Sequence, residues 1–172
     1  MNSSSKFIAI LLIVSCSAIP VFAIGPDWRQ ATEKELRGVV PARAPVERER
    51  IETEFRTASG IIDARGKFIA GVTIITAGYA AEGKYSHFFI TQVAIKIGEM
   101  TLAPGEYVFV YKRTDEALEV KFYEAGTGKL IGTVSAPRDS RRVPIRSLLI
   151  SPPVNGKGVI HIGRFFFEYS LS

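Results

Sequence analysis

The chain has 172 residues, with 22 lysines and arginines against 17 aspartates and glutamates, two histidines and one cysteine. That length supports one domain with its own core, able to bury roughly 68–70% of its extended surface, and a single cysteine excludes an intramolecular disulfide framework. The net charge of +5 is spread along the chain rather than gathered in a tail, which argues against nucleic acid and leaves a modest bias toward anionic surfaces.

The first residues have the layout of an export signal: Lys6, then the apolar run "FIAILLIV", then small residues. The run is broken by Ser15, Ser17 and Pro20, short of the about 20 apolar residues a spanning helix needs. "VFA" places Val21 and Ala23 where a signal peptidase requires small side chains, predicting cleavage after Ala23 and a periplasmic or secreted product. A competing cut precedes Cys16, because "IVSC" resembles the lipobox of bacterial lipoproteins; the resemblance implies lipidation of Cys16 and a membrane tether. The apolar "SAIPVFAIG" that follows is unlike a solvated tether and favours the first cut.

Residues 24–47 read as an N-terminal arm. "DWRQATEKELRG" predicts a short helix with Asp27 at its N-cap and Gly38 as its stop. "VVPARAP" then reads as an extended connector, since neither Pro41 nor Pro45 fits a helix interior.

From residue 48 to 172 the pattern is that of one β domain. "RIETEFRT" alternates strictly, and "FIAGVTIITAGYA" is apolar on both faces, so something must cover its second side; the arm, through Trp28 and Leu36, is the simplest cover. "YSHFFITQVAIKIG" puts Tyr85, His87 and Phe89 on one face. "LAPGEYVF" resembles a turn-plus-tyrosine strand of prealbumin-like and other secreted β-sandwich modules, over eight residues and without assigning a family. "ALEVKFYEAGTGKLIGTV" predicts a hairpin with Leu118, Val120 and Phe122 inward. "RVPIRSLLIS" reads as an edge strand or a strand start because of Pro144, and "VIHIGRFFFEYS" as the closing strand. About eight short strands between turn signals predict an all-β, antiparallel β-sandwich, with a closed, lipocalin-like barrel as the alternative.

Reactive constellations are sparse. "GTGK" at Gly126–Lys129 lacks both the earlier glycine and the following Ser or Thr of a phosphate-binding loop. Ser86 precedes His87, but neighbours in a strand point to opposite faces. No histidine spacing suits a metal, and no cofactor motif is present. His87 and His161, if both point into one interior, would form a ligand site with Tyr85 or Glu168, the latter histidine sharing a face with Phe165 and Phe167. Phe166, the middle of three phenylalanines, must meet another layer, a partner or solvent. Arg138, Arg141, Arg142 and Arg146 form the one local excess of charge and are candidates for docking phosphate, sulfate or carboxylate groups. The expectation is an exported, non-catalytic domain that binds or assembles at the cell envelope with a protein, lipid or polysaccharide partner. A barrel carrying an apolar ligand is the first alternative and a hydrolase using Glu and His the second.

Overall fold

The computed structural model describes residues 27–141 and 145–172. The export-signal segment with Cys16, and also Arg142 and Pro144, lie outside them.

The arm carries more structure than its composition predicts. Trp28–Gln30 forms a strand, β1, so Asp27 caps no helix. The helix α1 (Glu33–Val39) begins instead at Thr32. The Thr32 hydroxyl accepts from the Glu35 amide and the Glu35 carboxylate accepts from the Thr32 amide, which satisfies donors that a helix start leaves free. Gly38 lies within the last turn rather than beyond it. The connector supplies β2 (Arg43–Val46), paired antiparallel with β3 (Glu49–Asp63).

β3 turns into β4 (Phe68–Ile74) through a loop in which the Asp63 carboxylate accepts the Arg65 and Lys67 amides. The apolar run that continues past Ile74 is not strand: residues 75–86 form a turn-rich excursion before β5 (His87–Thr91). The next predicted strand is also divided. At Gln92–Ala94 the chain turns a corner into β6 (Ile95–Ile97), and Thr91 Oγ1 donates to the Val93 carbonyl there at 2.5 Å, satisfying an acceptor that leaves the ladder. β6 forms a hairpin with β7 (Met100–Leu102), after which β8 (Gly105–Arg113), β9 (Ala117–Glu124) and β10 (Leu130–Pro137) form a meander.

β11 (Arg146–Val154) leads to the closing segment, which is two strands, β12 (Lys157–Gly163) and β13 (Phe165–Leu171). Ile162 pairs with Phe165, leaving Gly163 and Arg164 as a two-residue turn. Gly163 sits at φ +61°, at the position where a type II′ hairpin demands a left-handed backbone.

The larger sheet runs β1-β3-β4-β5-β8-β9-β10 with β2 also on β3, and the smaller runs β11-β12-β13-β6-β7. All pairings are antiparallel and the sheets do not close on one another, so the architecture is the sandwich and not the barrel. The space between them is filled. Phe122 meets Phe89 and Phe167 edge-to-face at 5.9 Å, with Ile69, Val120, Ile150 and Ile160 around them.

A second core lies on the outer face of the larger sheet. Strand alternation sends Ile69 and Phe89 inward, and Val72, Phe88 and Val108 outward. Leu36, Val40, Ala44 and Val46 of the arm lie over that outer set, with Ala81 and Tyr85 of the excursion. Fully burying each large side chain contributes roughly 1.5–3 kcal/mol, which favours an arm laid down on the sheet. Leu36 covers as the sequence suggests, but Trp28 does not: its indole belongs to the core between the sheets, because β1 extends the larger sheet and turns it inward. The arm is pinned at Glu47, which adopts φ +52°. Its amide donates to the Ala125 carbonyl at 2.6 Å, and its carboxylate accepts from Tyr85 Oη at 2.7 Å and from Lys84 Nζ.

Candidate functional site

At one end of the sandwich the sheets part around a cleft of about 640 Å³. It is assembled from segments far apart in sequence: the ends of β4 and β8, the start of β5, the residues after β10, the start of β11 and the β12–β13 turn. Three arginines line it. Arg113 ends β8, and its guanidinium lies 5.7 Å from the ring centre of Phe165. Arg138 follows β10 and bridges to Phe165 through the backbone, while the neighbouring Asp139 amide donates to the Arg164 carbonyl at 2.8 Å. Arg164 occupies the tip of the two-residue turn. Arg138 and Arg164 are therefore held side by side by main-chain hydrogen bonds. No carboxylate lines the cleft among the described residues, and none of the three arginines makes an ion pair with them.

His87 lines the inner part of the cleft. Its ring stacks on Phe109 at 4.5 Å and only 3% of the residue is exposed. Burial pushes its pKa down to about 4, so the imidazole is neutral at ordinary pH. Nδ1 lies 2.9 Å from Ser86 Oγ, and Nε2 lies 3.4 Å from Thr73 Oγ1. Ser86 and His87 thus do meet, against the alternation rule, because Ser86 precedes the strand. Ser86 Oγ also donates to the Phe109 carbonyl at 3.1 Å, which directs its proton to a backbone acceptor rather than to the ring. Ser147, Tyr111, Leu118, Ile145, Ile162 and Phe165 complete the walls.

The other predicted site residues disperse. Tyr85 lies in the turn before β5 and packs in the outer core, edge-on to Tyr123 at 5.3 Å and hydrogen-bonded to Glu47, so it does not share a face with His87. His161 lies on the outer face of the smaller sheet, opposite to the side expected. The register pairs His161 with Phe166, so Phe166 is its neighbour, while Phe165 and Phe167 turn inward. The idea of two imidazoles in one interior fails on this register. Glu168 is on the same outer face and exposed.

His161 is buried against Asp139, with Nε2 3.0 Å from Oδ2. Arg141 grips the same carboxylate through its amide, Nε and Nη2, and together these donors hold Asp139 well below the usual carboxylate range. The ionised carboxylate fixes the proton on Nε2 and leaves Nδ1 without a partner. What lies over Phe166 is Arg141, 5.6 Å from the ring centre. The predicted arginine cluster is therefore split: Arg138 faces the cleft, Arg141 is committed to Asp139, and Arg146 lines a separate groove beside α1 and β3. Arg113 and Arg164 were not singled out from sequence. The only local signal for Arg164 was its position after a glycine in "HIGRFF", a two-residue turn motif between two apolar runs.

Comparison with protein-family models, with curated proteins and with solved structures found no match.

Proposed function

We propose that this chain is an exported binding domain that works without catalysis and holds its ligand by an anionic group in the cleft between the sheets. The observation that carries this reading is the convergence of Arg113, Arg138 and Arg164 on one concavity lined, among the described residues, by no carboxylate. Like charges left together without a counter-charge repel, whereas guanidinium forks match the paired oxygens of phosphate, sulfate or carboxylate and bind them with charge-assisted hydrogen bonds. The Ser147 hydroxyl adds a neutral donor. His87 supports binding rather than acid–base work: it is neutral and, among the described residues, faces no carboxylate with which to share a proton. The envelope setting follows from the sequence-based export signal.

The test is an NMR titration with inorganic phosphate at constant ionic strength. Amide signals of residues 113, 138, 145–147 and 163–165 shift, and Arg164→Glu weakens the affinity roughly tenfold or more, the value of one charge-assisted bond. Arg146→Glu, outside the cleft, leaves the affinity within about twofold. Shifts elsewhere, or equal loss in both variants, overturn the proposal.

A further inference from the structure

The cleft is not lined for a bare inorganic anion. Beside the three arginines stand Leu118, Ile162 and Phe165, whose side chains belong to or border the inter-sheet core, and at its mouth stand Ile145 and Tyr111. These last two are unusual. Ile145 is 60% exposed and Tyr111 40%, among the few large apolar side chains of the described residues left so open to water, and both lie on this one concavity. Apolar surface exposed on the wall of a concave site is surface a ligand can cover, at roughly 25 cal/mol for each Å² removed from water. The volume, about 640 Å³, suits one compact molecule or group.

Resting on the anion-binding reading, we infer that the ligand is an anionic amphiphile: a phosphate or similar multiply charged head held by Arg113, Arg138 and Arg164, joined to a short apolar body. That body lies against Ile145, Tyr111 and Phe165. Three guanidiniums call for more than one negative charge, which a phosphate monoester supplies and a single carboxylate does not. The neutral His87 lines the interior without adding charge, so the apolar body is not opposed by an ion deeper in the site. Such a molecule is either free in solution or the head and first carbons of a membrane lipid whose phosphate is a monoester, as in phosphatidic acid, and the chemistry presented to the cleft is the same.

Isothermal titration of the protein with octyl phosphate below its micelle concentration, inorganic phosphate and octyl glucoside separates these ideas. Octyl phosphate is expected to bind roughly tenfold or more tightly than inorganic phosphate, the increment that burying even two methylene groups supplies. Octyl glucoside, with the same tail and no charge, binds more weakly than octyl phosphate. Ile145→Ser, at an exposed position where folding is not at stake, lowers the affinity for octyl phosphate by a larger factor than the affinity for inorganic phosphate. Equal affinity for octyl phosphate and inorganic phosphate overturns the amphiphile and spares the anion site; loss of all phosphate binding overturns both. A cosedimentation arm with vesicles containing phosphatidic acid, whose head is a phosphate monoester, distinguishes the source. Vesicle binding abolished by Arg164→Glu, together with octyl phosphate binding, supports a lipid as that source, whereas vesicle binding with no response to monomeric octyl phosphate identifies a membrane surface and overturns the inference.

Discussion

His87 and His161 look alike in the sequence, each set among aromatic and β-branched residues, and both are buried, yet the regions around them are built on opposite plans. Around His161 the buried carboxylate is paired: Asp139 receives the imidazole and the Arg141 guanidinium, and Arg141 lies in turn over Phe166. Around His87 no carboxylate stands among the described residues, the ring is neutral, and the three arginines of the cleft make no ion pair with those residues. The difference shows what the aspartate does at Asp139. By turning toward the outer face of the smaller sheet it satisfies one histidine and one arginine, and by the same turn it withdraws a negative charge from the neighbouring Arg138.

The largest effect that would test this contrast is the pH dependence arising at His87. Its pKa is about 4 in the folded chain against 6.5 for the free group. Between those values the unfolded chain takes up a proton that the folded chain refuses, so the contribution is fully present above pH 6.5 and is lost as the pH falls toward 4. The loss amounts to about 3 kcal/mol. Urea midpoints at pH 6.5 and pH 4 for wild type and His87→Phe measure it as the difference in slope between the two proteins; identical slopes would mean that the imidazole is not buried in neutral form. A smaller effect is expected at the other histidine. Asp139→Asn leaves the guanidinium and His161 facing a neutral amide, and calorimetry should show a melting temperature lower by roughly a few degrees. The smallest belongs to the cleft. Arg113→Ala and Arg164→Ala remove exposed, unpaired charges and should change stability by no more than about 0.5 kcal/mol, or raise it slightly, while weakening phosphate binding. If an arginine of the cleft costs as much stability as Asp139, the contrast between the two regions is mistaken.

Much of the fold was legible because strand alternation is local. Leu118, Val120 and Phe122 face inward as their spacing demands, the turn at Gly126–Lys129 makes the hairpin, and the two-sided apolar character of β4 announces the second core before its cover is known. Failures came where a polar or turn residue resets the alternation. Residues 92–94 move the chain between sheets inside what alternation reads as one strand, and Ser86 is brought to His87 because alternation has not yet begun. In "HIGRFFFE" the short turn pairs odd-numbered residues of one strand with even-numbered residues of the next, so counting straight through assigned Phe165 and Phe167 to His161 when Phe166 belongs there. The cleft was least legible of all. Arg113, Arg138 and Arg164 come from places separated by about 25 residues each, and nothing in their local sequence marks them as partners.

The Gly163–Arg164 connection has no slack, and that has two results. A guanidinium mounted there starts from a main chain already fixed by its flanking pairs, so capturing an anion freezes side-chain torsions alone, roughly 0.5–1.5 kcal/mol of ordering rather than the larger entropy of a mobile loop. The same tightness makes the spot intolerant of length. One added residue that slipped the pairing by a step would turn the aromatic run over, bringing Phe166 into the interior and Phe167 out to water, and would carry the cation away from its companions.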